Sequence, residues 1–600
     1  MLRYLLVSLL FAAGTLHAQD DFYQTDHVPE IKITFSENNW DELLDAMFID
    51  GQGDRLTCDV EIDGTLIAGA GIRYKGFSSA SVDRTKNPFN IKLNYSNDES
   101  YQGIDKIKLS NVIQDPSFLR EVMSYEIARN YMPAPRANFA KVYVNDVYWG
   151  LYTNVEAVNK DFISDHFNSS DGALFKGNPE DLDLFGENSN LSDSPGEAET
   201  NYHDLYKMES DIGWSNLLEL INTLNQNPEN VEAVLNVDRA LWMHAFNYSL
   251  INYDSYVGYA QNYYIYQDIN NQFNPLLWDL NMSFGSFRLT DDSDYFDGFS
   301  IEQAKVSDPL AHLNSFSVFD RPLMRELFNN STFKRMYLAH MRTIMEQNVA
   351  SNWLEDQGLF YQDIIATHVL ADTNKFYSYE DFENNLYSTV TDLTTYPGLT
   401  DLMNDRWDYL EDYPGITNSP NIISVVPNST TPVAGLTILF SAEIENTDEA
   451  WLYYRVSGSG TFTNLPMLDD GQNGDEFAND GIFSVEMTSE SNAIDYYVYS
   501  QNEEAGKFSP EEAAYKFDFI GTPIDAGDLV INELMSSNAT SASDNNGDYD
   551  DWIELYNTTA NSISTAGMFL SDDFENPEKW VLPTTEIPAN SYFIIWADEE

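Results

Sequence analysis

Cysteine is almost absent from this sequence. Cys58 is the only one among 600 residues, so no disulfide can form within the chain. The fold must therefore be held by its hydrophobic core, and the composition supplies one, with 43% hydrophobic and 14% aromatic residues. The length allows about four domains, and the residue pattern supports three of them after a leader segment.

Positive charge is also scarce. Against 97 Asp and Glu residues stand only 31 Lys and Arg, which gives a formal net charge of −66. Such a field repels the phosphates of nucleic acids and of anionic membranes, so we expect no nucleic acid polymer among the partners. Divalent cations, in contrast, are favoured by this charge.

Long apolar runs are missing after the first residues of the chain. The N-terminus has one positive charge at Arg3 and an apolar run of about ten residues from Tyr4 to Ala13. The small residue Ala18 then provides a signal-peptidase cleavage site. A membrane span needs about twenty apolar residues, so the pattern predicts a signal peptide over residues 1–18. We therefore expect a secreted or cell-surface protein without a transmembrane segment.

The strongest chemical signal lies between Asn252 and Gly285. Two short β-rich runs are flanked by Asp254, Asn262 and Asp279. A hairpin brings such flanking side chains together at one end. Three oxygen ligands suit Mg²⁺ with phosphate better than zinc. Protein kinases use an Asp, an Asn and a metal-binding Asp in this order. Eight positions separate Asp254 from Asn262, where the kinase catalytic loop has about five, so an ordinary protein kinase is excluded.

Four places in the sequence resemble the CotH family of secreted or spore-coat-associated atypical kinases. They are Ile72–Ser79 with Asn90–Leu93, the pair Leu119–Arg120, the segment Val144–Glu156, and the series Asp254, Asn262, Trp278-Asp279. The resemblance covers roughly residues 30 to 400 and is specific as a combination. It implies an atypical protein-kinase-like two-lobed domain over residues 30–413, with ATP and Mg²⁺ or Mn²⁺ as cofactors. Asp254 would be the catalytic base, and Asn262 and Asp279 would bind the metal.

In the small lobe implied by this resemblance, one loop and one lysine contact the phosphates. Ser78 and Ser79 lie in a small-residue loop that lets backbone N–H groups approach a phosphate. Lys92, on the strand that follows, is predicted to pair with the α and β phosphates, with Lys86 of the loop as the alternative. An exposed hairpin with a surface lysine is the competing interpretation.

Two glutamates are further candidates for the nucleotide site. Kinases use a helix Glu to hold the phosphate-binding Lys, and Glu121 or Glu126 has this place in a helix predicted to begin after Asp115. Glu156 ends the segment that resembles the adenine-contacting hinge. Exposed helical or hairpin glutamates would show the same pattern.

One position departs from the family pattern. Many CotH-like chains have a second Asp two positions after the Trp-Asp pair, and this chain has Asn281 there. The Asn carbonyl still ligates Mg²⁺, but it carries no charge and cannot act as a base. We therefore expect Asp279 to bind metal, whereas Asn281 adds no negative charge to the site.

After a linker near Pro414, the composition changes to short alternating strands. Residues 421–520 predict an immunoglobulin-like β-sandwich, and residues 526–600 resemble the lamin-tail domain, which we expect to continue beyond the last residue. The acidic loop with Asp469, Asp475 and Asp480 suits Ca²⁺, although a solvated acidic loop fits equally well. The fold class is thus multidomain α+β, a kinase-like domain followed by two β-sandwich modules.

Two functional hypotheses follow. The first is a kinase that transfers the ATP γ-phosphoryl group to Ser or Thr of extracytoplasmic proteins. The alternative is a non-catalytic cell-surface or matrix-binding protein that uses its β modules, which the export route and Asn281 favour. A hydrolase with paired carboxylates is a third reading, supported only by the acidity of the chain.

Overall fold

The computed structural model describes residues 22–597 except 77, 184–186, 290–297, 312–319, 393, 459, 473, 522–526, 537, 539–548, 561, 566–567, 572–579 and 584. The predicted signal peptide lies outside the described residues. The chain divides into two compact units. One, the barrel unit, consists of the residues up to Asn111, residues 137–156 and residues 364–375; the other, the larger unit, contains the remainder.

The barrel unit is built on a closed barrel with the strand order β1-β2-β3-β4-β5-β7-β6. Its strands are β1 Glu30–Thr34, β2 Leu56–Ile62, β3 Thr65–Tyr74, β4 Phe89–Lys92, β5 Lys106–Ser110, β6 Ala137–Val144 and β7 Val147–Val155. Neighbouring strands are antiparallel, except that β1 and β6 close the barrel as a parallel pair. Helix α1, Trp40–Asp50, packs on β2 and β3.

Strand alternation fills the barrel with aliphatic side chains. Ile33, Val60, Ile91 and Leu109 are all fully buried, and each is followed or preceded by a residue on the outer face, as the two-residue period of a strand requires. Two hairpin turns predicted by their sequence join these strands: Asp63-Gly64 links β2 to β3, and Asn145-Asp146 links β6 to β7. All four turn residues have positive φ, the conformation that Asn, Asp and Gly adopt most readily.

Helices dominate the larger unit up to residue 410. They are α2 Arg120–Ala128, α3 Lys160–Phe167, α4 Trp214–Gln226, α5 Val237–Ser249, α6 Ile301–Lys305, α7 Pro322–Asn329, α8 Ser331–Met345, α9 Trp353–Ala371, α10 Tyr379–Asn384 and α11 Leu399–Leu410. The end of α9, from residue 364, belongs to the barrel unit. Short 3-10 segments occur at Glu199–Asn201, Pro228–Ala233 and Leu280–Met282, and a π-helical turn at Glu346–Ala350.

Two small sheets complete this part of the larger unit. Strands β8 Leu174–Gly177, β9 Tyr206–Met208, β10 Tyr263–Gln267 and β11 Phe273–Leu277 form a sheet with the order β11-β10-β8-β9. Strands β12 Val390–Thr391 and β13 Thr395–Tyr396 form a short hairpin. Helix α5 is buried on nearly all sides and packs against α8 and β11.

Helix α2 begins later than its sequence predicts. The pattern at Asp115 and Pro116 predicts a helix start there, but the helix begins at Arg120. The Asp115 carboxylate accepts hydrogen bonds from the backbone N–H groups of Ser117 and Arg120, and Phe118 has a left-handed backbone, with φ of 62°. A local side-chain turn thus replaces the first helical turn.

Residues 421–521 form two sheets around a common core. Their strands are β14 Asn421–Pro427, β15 Thr437–Glu445, β16 Glu449–Val456, β17 Thr463–Met467, β18 Ile482–Thr488, β19 Ala493–Gln501, β20 Gly506–Ser509 and β21 Asp518–Gly521. The first sheet has the order β14-β15-β18, and the second contains β17-β16-β19-β20 with β21 beside β19. Phe440 of the first sheet and Leu452 and Val498 of the second are buried in one hydrophobic cluster.

The last described residues form further antiparallel sheets. The strands are β22 Leu529–Met535, β23 Asp551–Asn557, β24 Ile563–Ser564, β25 Phe569–Leu570, β26 Trp580–Val581, β27 Glu586–Ile587 and β28 Tyr592–Ala597. Strand β23 lies between β22 and β28. Among the helices of the described residues, none combines the length and the apolar character needed to cross a bilayer. The architecture is therefore multidomain α+β.

Candidate active site

Helix α5 carries the chain to Asp254. The helix ends at Ser249, and Ile251 then takes a left-handed backbone with φ of 50°, which reverses the chain. The carbonyl groups of Leu250 and Ile251 accept hydrogen bonds from the N–H groups of Phe284 and Gly285, at 2.8 and 3.2 Å. The backbone just before Asp254 is therefore tied to the backbone just after Asp279.

The β10–β11 hairpin brings the other two candidate residues to the same place. Tyr263 pairs with Leu277 at the open end of the hairpin, so Asn262 and Trp278 directly flank this end. The amide nitrogen of Asn262 donates to the backbone carbonyl of Asp254 at 3.1 Å, which leaves the side-chain oxygen of Asn262 outside that bond. Asp254, Asn262 and Asp279 thus lie together, as the hairpin pattern predicts.

Backbone strain is concentrated around these residues. Ile251, Ala260, Asn262, Asp279 and Phe284 all have φ between 50° and 60°. A left-handed backbone is uncommon outside Gly and Asn, most of all for a β-branched residue such as Ile, and costs about 1–3 kcal/mol at each residue. Strain of this kind persists where the surrounding structure fixes functional groups in place.

Burial and a neighbouring charge change the acidity of Asp254. Its side chain is half-buried, and its Oδ1 accepts a hydrogen bond from the Gln261 amide at 2.6 Å. Burial, with a further contribution from the negative charge of Asp279, raises the pKa of Asp254 to about 7. A carboxylate with a pKa near neutrality suits proton transfer. The unbalanced repulsion between the two Asp residues also favours a cation between them.

Asp279 is held in place through helix α2. Its backbone N–H donates to the Tyr125 hydroxyl at 3.0 Å, and the hydroxyl groups of Ser124 and Ser283 form a hydrogen bond close by. Burial, then the charges of Glu121 and Asp279, raises the pKa of Tyr125 well above its usual value. The buried Glu121 therefore lies close to this site, one helical turn before Tyr125.

The two glutamate candidates of helix α2 differ in their surroundings. Glu126 accepts a hydrogen bond from the Tyr361 hydroxyl, and burial raises its pKa. Glu121 is almost fully buried on the part of the helix that is near Tyr125. Of the two, Glu121 is the one that lies with the candidate site residues.

Arg120 fixes the start of helix α2. Its guanidinium is fully buried and forms an ion pair with Asp115 at 2.6 Å. It also donates to the Asn385 side chain at 2.8 Å and to the Pro397 carbonyl at 2.6 Å. Arg120 is thus a structural residue that ties α2 to the segment from Asn385 to Pro397, which explains its place in the motif.

A cation beside the site is missed by sequence reasoning. Lys176 of β8 pairs in register with Tyr264 of β10, and its ammonium lies 5.8 Å from the ring centres of both Tyr264 and Trp278. These are cation–π distances, and Trp278 directly precedes Asp279. The position of Lys176 beside Trp278 depends on the register between β8 and β10. The sequences of the two strands do not reveal this register.

Asn281, the position that departs from the family pattern, lies in the 3-10 turn Leu280–Met282 directly after Asp279. It is half-buried. Asn281 is therefore near Asp279 because it lies two residues later in the same short turn.

The remaining nucleotide candidates lie in the barrel unit. Ser78 is exposed and Ser79 half-buried, in the loop between β3 and β4, and Glu156 is half-buried directly after β7. Lys92, at the end of β4, is half-buried. In the described part of the chain, no hydrogen bond or ion pair of the Lys92 side chain is found.

Lys92 is one of three lysines on the outer face of adjacent strands. It lies directly opposite Lys106 of β5, and Lys108 is two residues further along the same face. Like charges in opposite positions repel each other, so an anion is favoured there. In kinases the phosphate-binding Lys lies on the strand before the helix with the Glu, and β5 is the strand before α2. Sequence reasoning passed over Lys106 and Lys108, although the alternation in Lys106–Leu109 places both on one face.

Lys86, the alternative to Lys92, is a buried structural residue. Its ammonium forms an ion pair with Asp372 at 2.6 Å, with both side chains at most 1% exposed, and donates to the Leu151 carbonyl at 2.7 Å. The Asp372 carboxylate lies so close to Gly150 that a Cβ there would be 2.5 Å from it. The Gly150-Leu151 part of the motif therefore serves this buried pair.

Replacing Asp372 with alanine is expected to destabilise the protein by about 3–5 kcal/mol, because the Lys86 ammonium would stay buried without its carboxylate. Lys92→Ala, a change on the outer face, should alter stability by less than about 0.5 kcal/mol. Urea unfolding of the purified variants measures both. Equal effects of the two changes would contradict the structural assignment of Lys86.

The donor set at the candidate site fits a hard divalent cation. Asp254, Asn262 and Asp279 offer carboxylate and amide oxygens, the ligands of Mg²⁺ and Mn²⁺. Burial and then repulsion from Asp279 raise the pKa of Asp254, and such a cation relieves the repulsion. The residues present therefore fit a metal ion bound together with phosphate oxygens.

Two family models match parts of this chain. A family model described as CotH kinase protein matches residues 72–410, more than half of the chain, and a model described as Lamin Tail Domain matches residues 522–600. No curated protein matches the chain. The first match begins at Ile72, near the end of β3, and includes the barrel strands from β4 onward and all three candidate residues Asp254, Asn262 and Asp279.

Proposed function

Because the chain belongs to the CotH kinase family, we propose that it is a secreted kinase that transfers the ATP γ-phosphoryl group to Ser or Thr of extracytoplasmic proteins. Family membership indicates a kinase-like function with a nucleotide, a divalent metal and a protein substrate. The meeting of Asp254, Asn262 and Asp279 at one hairpin end supports the more specific proposal.

Each residue of this site has a distinct role in the proposal. Asp254 orients the acceptor hydroxyl and takes its proton, as the Asp of the kinase catalytic loop does. Asn262 and Asp279 hold Mg²⁺ or Mn²⁺, with Asn281 as a further oxygen donor. When bound, the metal neutralises charge on the phosphate oxygens. The acceptor oxygen bonds to the γ-phosphorus, the bond from that phosphorus to the bridging oxygen breaks, and ADP leaves.

The barrel unit contributes the phosphate contacts in this proposal. Ser78 and Ser79 belong to the loop whose N–H groups approach phosphate, and Lys92 supplies positive charge, together with Lys106 on the opposite strand. Glu121 has the place of the helix glutamate in the kinase plan, and Glu156 belongs to the segment that contacts the adenine. The barrel unit would be the small lobe of the kinase plan.

The helical part of the larger unit would be the large lobe of the kinase plan. In the same proposal, the two sheets of residues 421–521 form an immunoglobulin-like β-sandwich, and the lamin-tail domain is the second such module. Export through the predicted signal peptide would place these modules outside the cell, where they attach the protein to a surface or present it to substrates.

The proposal is tested by phosphoryl transfer from radiolabelled ATP in Mg²⁺ or Mn²⁺. We expect the purified chain to label itself or an added protein, and Asp279→Ala to remove the label, because it removes a charged metal ligand. Asp268→Asn is the matched control: Asp268 lies at the other end of the same hairpin, where its carboxylate accepts N–H bonds from Asn270 and Gln272. Label transfer that survives Asp279→Ala would refute the assignment.

A second candidate function is a non-catalytic surface or matrix-binding protein. Asn281 favours it, because the neutral amide weakens the charge at the metal site. Thermal-shift titration separates the two functions. Stabilisation by ATP with Mg²⁺ that Asp279→Ala abolishes supports a nucleotide site, whereas a chain indifferent to nucleotide fits the binding protein.

A further inference from the structure

A loop between strands β17 and β18 closes on its own start. Asp469, just after β17, accepts hydrogen bonds from the backbone N–H groups of Asp480 and Gly481, at 3.1 and 3.0 Å. Leu468 and Ser484 form a β-bridge directly behind this closure. The two ends of the loop are therefore fixed next to each other, whatever the loop encloses.

Three carboxylates converge inside this closure. One oxygen each from Asp469, Asp475 and Asp480 lies within 4.8 Å of the other two. Among the described residues, no second group of three or more His, Cys, Asp or Glu side chains meets this condition. Three negative charges at such distances repel one another unless a cation lies between them.

Asp475 provides an independent indication of a ligand. Its side chain is buried, with 7% exposed, and one carboxylate oxygen, Oδ2, accepts the Gly471 N–H at 2.5 Å. The other oxygen, Oδ1, is buried and has no hydrogen-bond partner in the described part of the chain. A buried carboxylate oxygen without a partner is costly, and buried charges are normally paired or coordinate metals.

We propose that Asp469, Asp475 and Asp480 bind one Ca²⁺ ion that locks strand β17 to strand β18. Ca²⁺ takes 6–8 oxygen ligands at about 2.3–2.6 Å in irregular geometry, whereas Mg²⁺ demands a near-ideal octahedron at about 2.0–2.1 Å. The three carboxylates differ in burial and come from an irregular loop, which suits the less demanding ion. Extracellular modules bind Ca²⁺ with Kd of about 0.1–1 mM, the range that we expect here.

This site is separate from the proposed kinase site in residues and in ligand. It belongs to the two-sheet module of residues 421–521, whose core is shared by both sheets. Ca²⁺ binding there stabilises the module, because the ion binds the folded loop and not the unfolded chain. The protein would then unfold at a higher temperature in an extracellular medium that contains millimolar Ca²⁺.

The test is calorimetric titration and thermal unfolding of the metal-free full chain with CaCl₂ and with MgCl₂, without nucleotide. We expect Ca²⁺ binding in the range given above and a rise in the unfolding temperature. Asp475→Asn should weaken Ca²⁺ binding at least tenfold. Asp470→Asn is the matched control, because Asp470 is an exposed neighbour whose carboxylate caps the Gln472 N–H, and this variant should bind as the wild type does.

Two further variants keep the result decisive. Asp480→Asn changes an exposed ligand and should also weaken binding, even if Asp475→Asn fails to fold. Asp279→Ala should keep the full Ca²⁺ response, because its site is elsewhere. The proposal is overturned if the wild type does not respond to Ca²⁺, if Asp480→Asn binds as tightly as Asp470→Asn, or if Asp279→Ala loses the response.

Discussion

Changing Asp254 to asparagine is expected to remove phosphoryl transfer and, at neutral pH, to stabilise the fold. The substitution keeps the shape of the side chain and the oxygen that accepts from Gln261 at 2.6 Å, but asparagine cannot take a proton from an acceptor hydroxyl. Loss of a general base costs about 10²–10⁴-fold in rate. The stabilisation follows from the same pKa that suits Asp254 to catalysis.

The direction of the pH effect follows from proton binding. The pKa of Asp254 rises from an ordinary value of 3.8 to about 7 in the folded chain, so between these values the folded state holds a proton that the unfolded state has released. Stability from this group is complete below pH 3.8 and is lost as the pH rises to about 7. Asparagine has no charge to bury, so Asp254→Asn should gain up to about 4 kcal/mol of stability above pH 7, since one pKa unit corresponds to about 1.4 kcal/mol.

Unfolding of wild type and Asp254→Asn at pH 8 and at pH 4 measures this effect, without metal or nucleotide. The variant should melt at a higher temperature at pH 8, and the two curves should approach each other at pH 4. Asp211→Asn, an exposed change in the same unit, should alter neither activity nor stability. A variant less stable than wild type at pH 8 would show that Asp254 is a structural residue and not a buried acid under strain.

The candidate site was largely predictable because its parts are close in the chain. The β-rich run that follows Asn262 predicts a strand of a hairpin, and a hairpin fixes which residues meet at its open end. The two-residue turns at Asp63-Gly64 and Asn145-Asp146 were predictable for the same reason. In each case the interaction that decides the structure is local, so the sequence pattern contains it.

Roles that depend on distant contacts were not predictable. Lys86 and Lys92 both fit a phosphate-binding lysine by sequence, and only the ion pair with Asp372, 286 positions away, makes Lys86 structural. Lys176 gains its place beside Trp278 only through the register of β8 with β10. Tertiary packing decides these cases, and neither propensity nor spacing carries information about it.

Ending the chain at residue 413 is expected to leave the larger unit unable to fold stably, although the family match ends at residue 410. The two-sheet module that follows is predicted by sequence to be separate, but the structure places it in the same compact unit as the helices. Its residues from Gly506 to Ala514 pack directly on helices α5 and α8. Removal of this segment would uncover side chains that are now fully buried.

The interface between the two-sheet module and helices α5 and α8 combines aromatic and polar contacts. His340 of α8 lies between two rings, 3.7 Å from Trp242 and 4.8 Å from Phe508, measured between ring centres. Its Nε2 is 2.9 Å from the Asp238 carboxylate, which also accepts the Ala514 N–H at 3.1 Å. Removing the module would take the Phe508 ring from His340 and the Ala514 N–H from Asp238 of α5, the helix that leads to Asp254.

A buried arginine strengthens the same argument. Arg342 is 3% exposed and donates to the Gly506 carbonyl at 2.6 Å and to the Ile416 carbonyl at 3.1 Å. Truncation would remove both acceptors and open the guanidinium to water, so the lost hydrogen bonds to this charged group are expected to cost about 1.5–3 kcal/mol. The lost apolar contacts add to this cost, and a typical domain has only about 5–15 kcal/mol of stability in total.

A point variant tests this interface without truncation. Phe508→Ala removes one ring from the stack on His340 and should cost about 3–5 kcal/mol, whereas Phe477→Ala, a change at a side chain that is 60% exposed in the same module, should cost less than about 0.5 kcal/mol. Phosphoryl transfer should fall in Phe508→Ala at temperatures where Phe477→Ala keeps it, because α5 positions Asp254. A chain ended at 413 that is monomeric, cooperatively folded and as stable as the full chain would refute the integral role of the module.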